Sequence, residues 1–268
     1  KPLLFIALGS LSAFSSPLMA QEAEVLADWE VFKTGTPAEV EAEIEKLPEG
    51  TGLERKEDRG RTPLMLAASY NTAEVIAVLI KAGSELETAD IYGMTPLMWA
   101  ATLNTNPDAL SVLIKAGAEL EAIDEEGMTP LMWASRYSTS EVVSVLIKAG
   151  AKLETRDDFG KTPLMVAPLN LNAPEVVSVL VKAGAKLGAR DGNGTTPLMH
   201  AASVCINPKV ISVLIEAGAN MEAIGFNGWT PLSYAAISNI NPEVISVLIE
   251  AGANMEANNG NGWTPLMS

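Results

Sequence analysis

The chain has 268 residues, a formal net charge of −15 and an aromatic content of 5%. Its excess of acidic side chains disfavours nucleic acids and anionic membrane surfaces as partners, because both bind clustered lysine and arginine. Cys205 is the only cysteine, so no internal disulfide can form.

Residues 1–20 are typical of a secretory signal peptide. Lys1 precedes a short apolar run from Leu3 to Phe14, and a cleavage site is predicted after Ala20. The run is shorter than the ~20 apolar residues that span a bilayer, which disfavours the alternative of an uncleaved anchor. We therefore expect an exported protein, periplasmic rather than fully secreted, with no membrane contact after signal removal.

Residues 21–61 are predicted to form a degenerate capping unit at the N-terminal end of an array. Thr36-Pro37 opens a helix in this segment. That helix carries Glu39, Glu41, Glu43 and Glu45. A polar face of this kind is what the terminal unit of a repeat array presents to solvent.

The triplet Thr-Pro-Leu then recurs at intervals of 33 or 34 residues. It begins at Thr62, Thr95, Thr129, Thr162, Thr196, Thr230 and Thr264. The threonine hydroxyl caps a starting helix, and proline suits the first helical position because it lacks a donor that would be unsatisfied there. A fixed period near 33 predicts a solenoid in which each unit buries its apolar face against its neighbours.

A second helix follows in each unit, opened by Asn-Pro at residues 106–107, 207–208 and 241–242. Its predicted end is a glycine that adopts the left-handed conformation. These glycines are Gly83, Gly117, Gly150, Gly184, Gly218 and Gly252. Ten residues later a second glycine series, from Gly93 to Gly262, lies in Asp- or Asn-rich turns and predicts a protruding finger between units.

These motifs resemble the ankyrin repeat, with its D-x-x-G-x-T-P-L-x-x-A-A opening and V-x-x-L-I-x-x-G-A close. The resemblance covers roughly residues 25–268. It implies an all-α ankyrin repeat solenoid of stacked helix-turn-helix units with protruding β-turn fingers. Six repeats are expected over residues 62–263, and residues 264–268 are expected to start a truncated further repeat, so that the sequence would be a fragment.

Two features depart from the ankyrin pattern. Methionine replaces the usual histidine after Thr-Pro-Leu in six of the seven units. We expect thioether packing to replace the hydrogen bonds that this histidine makes in the family. The Gly-His step between the two helices is also missing, and all variation in repeat length falls in that interhelix loop.

No catalytic residues, metal site or cofactor are predicted. His200 and Cys205 are five residues apart, but nothing supplies a third orienting group or an oxyanion site. Too few histidine and cysteine side chains are present to hold a transition metal. Residues 258–262 lack the carboxylates that a calcium loop needs.

Aromatic and methionine side chains recur at two places in the repeat. Trp99, Trp133, Tyr137 and Tyr234 follow a Thr by four or eight residues, on the predicted outer side of the first helix, in the same positions as Leu66, Val166 and Asn170. Tyr92, Met94, Met128, Phe159, Phe226 and Trp229 lie beside the turn glycines.

The resemblance implies a protein-binding role for these ten residues. In ankyrin proteins the fingers and first helices form the concave surface that contacts partners, and Trp and Tyr often anchor interfaces. The alternative is that the aromatic side chains pack between units and stiffen the stack.

The expected function is recognition of a protein partner with a basic or apolar surface by an exported, non-enzymatic, monomeric protein. Two alternatives stay open. One is a passive scaffold or protective protein of the cell envelope. The other is the targeting module of a larger enzyme whose catalytic domain follows in the chain.

Overall fold

The computed structural model describes residues 29–47, 52–259 and 261–267, in which the backbone forms helices and no strands. The predicted signal peptide lies outside the described residues. The helices are α1 (29–34), α2 (Pro37–Ile44), α3 (Pro63–Tyr70), α4 (Ala73–Lys81), α5 (Pro96–Leu103), α6 (Pro107–Ala116), α7 (Pro130–Tyr137), α8 (Ser140–Ala149), α9 (Pro163–Val166), α10 (Ala173–Lys182), α11 (Pro197–Val204), α12 (Lys209–Glu216), α13 (Pro231–Ser238) and α14 (Pro242–Glu250). Three 3₁₀ segments lie at Ala167–Leu169, Phe226–Gly228 and Pro265–Met267.

The helices form two layers. The odd-numbered helices α3 to α13, called here the first helices, stack on one another, and the even-numbered helices α2 to α14 form the layer of second helices. Helix α2 packs against α4, so Thr36-Pro37 opens the second helix of the N-terminal unit. One apolar core runs from Trp29 to Ala253 between the layers.

The helix ends follow the predicted chemistry. The threonine hydroxyl accepts the amide of the residue three positions on, as in Met98 N to Thr95 Oγ1 at 3.4 Å. Gly117 and Gly150 end α6 and α8 with φ of 103°. The methionines that follow Thr-Pro-Leu are buried. Met65 Sδ also accepts the amide of Thr62 at 3.4 Å.

Buried asparagine side chains join the first helix of one unit to that of the unit before it. The Asn104 amide group donates to the carbonyl oxygens of Ala68 and Asn71 at 3.0 and 2.9 Å. Asn71, Asn170 and Asn239 make equivalent pairs of bonds. Each pair satisfies carbonyl groups that the end of a helix leaves without an intrahelical partner.

Helix α9 is an exception among the first helices. Pro168 lies where the other first helices continue, and proline removes a backbone donor and clashes with the preceding turn. The α-helix therefore ends at Val166 and continues as the 3₁₀ segment. This shortening brings Asn170 into the buried linking position.

Glutamate side chains form a second set of links, in the loops that follow the second helices. Each carboxylate accepts a backbone amide of the next loop at 2.7–2.9 Å. The glutamates are Glu54, Glu87, Glu121, Glu154 and Glu222. Gly188 occupies the equivalent position between Glu154 and Glu222, so one junction has no such carboxylate.

Replacing Gly188 by glutamate is expected to raise the free energy of unfolding by about 1–2 kcal/mol. A side chain reduces the entropy of the unfolded chain, and the new carboxylate can accept the amide of Asn220. A Cβ at position 188 meets nothing within 4 Å. Gly188→Ala is the matched control, because it supplies the entropy effect alone. Equal urea midpoints for the two variants would show that the new carboxylate adds nothing.

Candidate functional site

An aspartate organises each central finger. Asp124 Oδ1 accepts the backbone amides of Glu126 and Met128 at 2.9 and 2.8 Å. Gly127 closes this turn with φ of 75°. Asp90, Asp157 and Asp191 make the same pair of bonds in their own fingers. The carboxylate therefore fixes the shape of the turn and leaves its second oxygen available.

That second oxygen binds the first helix that follows. Asp124 Oδ2 accepts the indole N–H of Trp133 at 2.8 Å. Trp99 and Asp90 make the same bond at 3.1 Å. In the fifth finger His200 Nε2 lies 2.8 Å from Asp191 Oδ2. The sequence contains the signal for these bonds, an aspartate nine residues before Trp or His, but the sequence analysis above did not use it.

His200 is a neutral donor in this arrangement. Burial lowers the pKa of its imidazole below the ordinary value, and Asp191 only partly offsets that effect. Burial raises the pKa of the Asp191 carboxyl, but hydrogen bonds from the Thr195 amide, His200 and the Asn193 amide outweigh it and lower the pKa overall. The neutral Nε2–H therefore replaces the indole N–H of the other fingers.

The lowered pKa of His200 predicts a pH dependence of stability. Because protonation is less favourable in the folded state than in the unfolded state, the stabilisation is complete above the ordinary His pKa of about 6.5 and declines as pH falls below it. His200→Gln keeps a donor and does not titrate. Between about pH 8 and pH 5 the wild type should lose stability relative to this variant in urea titrations, and parallel curves would contradict the assignment.

Successive fingers are joined by backbone hydrogen bonds. The amides of Glu125, Asp158 and Gly192 donate to carbonyl oxygens of the finger before at 2.9–3.2 Å. The fingers lie so close that a Cβ on Gly160 would be 2.8 Å from the backbone nitrogen of Gly192. The fingers therefore form a continuous edge beside the first helices.

Four of the ten predicted contact residues present exposed side chains on this side of the molecule. Tyr92, Phe159 and Phe226 lie on the fingers, and Tyr137 lies at the end of α7. Phe159 and Phe226 are each 63% exposed, and Tyr137 is 51% exposed. Large exposed aromatic side chains have no stabilising role within the fold, so they are available to a partner.

The other six are covered to different extents. Trp99, Trp133, Trp229 and Tyr234 are half-buried. Trp229 contacts Tyr234 edge to face at a centroid distance of 5.6 Å. Met94 and Met128 are buried, at 5% and 2% exposure, because the turn folds back over the first helix. These two methionines offer no surface to a partner.

The expectation that all positions four residues after Thr face outward needs correction. Leu66 and Val166 are fully covered by their surroundings. The finger lies over this position, and only residues eight after Thr stay exposed on the first helix. Asn170, which was grouped with the outward positions, is buried for the reason given above.

The middle of the surface carries a cluster of three residues on α7. The rings of Trp133 and Tyr137 stack at a centroid distance of 5.5 Å and an interplanar angle of 21°. The guanidinium of Arg136 lies 5.1 Å from the centroid of the Tyr137 ring. We call Trp133, Arg136 and Tyr137 the α7 cluster. Trp, Tyr and Arg are the residue types most enriched among interface hot spots.

The described residues show no alternative chemistry for this surface. Within them no group of three or more His, Cys, Asp or Glu side chains is arranged to hold a metal ion. None of the helices in those segments is both long and apolar enough to cross a bilayer. The thiol of Cys205 is buried, and burial raises its pKa, which disfavours the nucleophilic thiolate.

Helix pairs stacked around one core, with aspartate-held fingers along one edge, define an α-helical repeat protein of the protein-binding class. The family model for ankyrin repeats (3 copies) matches residues 42–124, 101–191, 151–224 and 198–268. The chain belongs to the ankyrin repeat family. Ankyrin repeats are generally protein-protein interaction modules and are typically non-enzymatic. Comparison with curated proteins gives no match.

Proposed function

We propose that this protein is an exported binding protein that recognises another protein through its fingers and first helices. One observation carries the proposal. The exposed aromatic side chains among the described residues are Tyr70, Tyr92, Tyr137, Phe159, Phe226 and Trp263, and each belongs to a finger or a first helix. None belongs to a second helix, although both layers follow the same repeat.

This asymmetry supports binding over simple stiffening of the stack. Side chains that stiffen a stack are buried between units, as Met132 and Leu131 are. Exposed aromatic rings instead carry an unfavourable contact with water until a partner covers them. The half-buried Trp99 and Trp133 have a structural bond to the finger, and their remaining ring surface adds to the same face.

The acidic net charge favours a partner with basic groups around an apolar centre. Glu125, Glu126 and Asp158 are exposed on the fingers between Tyr92 and Phe159. Carboxylates at the rim of an interface steer oppositely charged partners and speed their association. The proposal includes no catalytic activity and a monomeric state.

Export is part of the proposal and rests on the pattern of residues 1–20. A fusion of residues 1–28, preceded by an initiator Met, to alkaline phosphatase tests it in a bacterial host. The enzyme is active only outside the cytoplasm, so activity is expected. A fusion that stays inactive and cytoplasmic would contradict export.

Loss of the exposed rings is expected to abolish binding without affecting stability. Tyr137→Ala combined with Phe159→Ala should remove at least ~2 kcal/mol of binding free energy, since each ring is of the hot-spot type. The measurement is crosslinking of a photoreactive group near residue 137 in the native compartment, followed by mass spectrometry. Melting temperature should be unchanged, because both side chains are exposed.

A matched control separates the surface from general stickiness. Ile206→Ala with Ile240→Ala removes two exposed aliphatic side chains from the interhelix loops, at the opposite end of the first helices from the fingers. Crosslinked partners should be retained by this control. Partners that survive the loss of Tyr137 and Phe159 would instead support the passive scaffold.

A further inference from the structure

The first helices are almost free of charge. Helices α3, α5, α7, α9, α11 and α13 contain one Lys, Arg, Asp or Glu between them, which is Arg136. The residues seven positions after Thr in the other units are Ser69, Thr102, Leu169, Ser203 and Ile237. The repeat therefore folds without a cation at this position, and Arg136 needs an explanation outside the architecture.

No ion pair within the described residues explains Arg136. Its guanidinium contacts the ring of Tyr137, and no carboxylate oxygen lies within 4 Å of it there. Arg61 shows the contrast, because it pairs with Glu57 at 2.6 Å while its guanidinium lies over Trp99. Arg136 is half-buried, so part of its hydration is already lost. An anion bound here would therefore interact more strongly than on an open surface.

The surroundings limit which anion can bind. Leu103 and Leu169 lie at equivalent positions on the units before and after, and both are exposed and apolar. Glu125 and Asp158 lie exposed on the nearby fingers. A polyanion such as a nucleic acid would be repelled by these carboxylates, whereas one carboxylate in a neutral or basic segment would not.

We propose that the α7 cluster binds one carboxylate of the partner protein, next to an apolar partner side chain that packs on Tyr137. This inference rests on the proposed function of the concave surface. The planar guanidinium donates two parallel hydrogen bonds to the carboxylate, which fixes the register of the partner segment. Contact between the Tyr137 ring and Arg136 holds the guanidinium in place.

A random-peptide display library selected on the immobilised full chain tests the proposal. Peptides are then measured on Arg136→Gln, Arg136→Glu and Tyr137→Ala. Wild-type peptides should carry Asp or Glu close to an aromatic or aliphatic residue. They should bind Arg136→Glu at least about tenfold more weakly and Arg136→Gln by an intermediate factor. Selection on Arg136→Glu should enrich Lys or Arg at the same peptide position.

Lys148→Glu provides the matched control, because it reverses an exposed cation on the second helix of the same unit. Its affinities should stay within about twofold of wild type, since a rim charge far from the contact has a small effect. Unchanged melting temperatures would show that the Arg136 variants are folded.

The outcomes separate the two proposals. Peptides that lose affinity with Tyr137→Ala but carry no acidic residue and are indifferent to Arg136→Glu would overturn the carboxylate site alone. Peptides indifferent to Tyr137→Ala, or a selection that enriches none, would overturn the binding role of the surface and the carboxylate site with it.

Discussion

Replacing Asp124 by alanine is expected to lower the free energy of unfolding by about 3 kcal/mol. The carboxylate accepts two backbone amides of its finger and the indole N–H of Trp133. Removing it leaves these donors without an acceptor where water reaches them poorly, and hydrogen bonds to charged groups are the stronger ones. Urea denaturation followed by circular dichroism measures the loss.

Asp157→Ala is the matched comparison. Asp157 accepts the amides of Phe159 and Lys161, but Val166 stands nine residues later and has no donor. This variant loses one bond fewer, so its destabilisation should be smaller by about 1 kcal/mol. Equal losses for the two variants would show that the indole bond of Trp133 does not contribute.

Gly160→Ala should also cost about 3 kcal/mol. The residue has φ of 78°, a conformation that costs other residues roughly 1–2 kcal/mol. A Cβ would in addition approach the backbone nitrogen of Gly192 to 2.8 Å. Because that atom belongs to the next finger and is held by its own hydrogen bond, the two fingers must separate.

Gly194→Ala isolates the second contribution. Gly194 has φ of 75°, but a Cβ there meets only the end of Arg190 at 3.8 Å. Its substitution should cost roughly 1–2 kcal/mol, from the backbone conformation alone. If both glycine variants shifted the urea midpoint equally, close contact between fingers would not be a source of stability.

Much of the fold follows from two residue series. Thr-Pro at a fixed period predicts where each first helix begins, and the structure confirms these starts at residues such as Thr95 and Thr129. The glycine series predicts the ends of the second helices, and Gly117 and Gly150 confirm it. Both succeed because caps depend on local backbone geometry, which the nearest residues determine.

The position of the fingers over the first helices was not predictable from periodicity. A helical wheel assigns Trp133 to the outer side, but it contains no information about a turn that folds back from Asp124. The same limit explains Val166, which is buried although its position repeats that of Trp133. Pro168 was visible in the sequence, yet its effect on Asn170 depends on how far the helix is shortened.

The bonds made by the asparagine, glutamate and finger links each join residues 31 to 39 apart. Contacts of this range depend on the adjacent unit and not on the number of units in the chain. Excising residues 95–128 would join Met94 directly to Thr129 and offer the next unit an equivalent neighbour. Gene duplication or loss in steps of 33 or 34 codons can therefore lengthen or shorten the binding surface while each remaining junction keeps its chemistry.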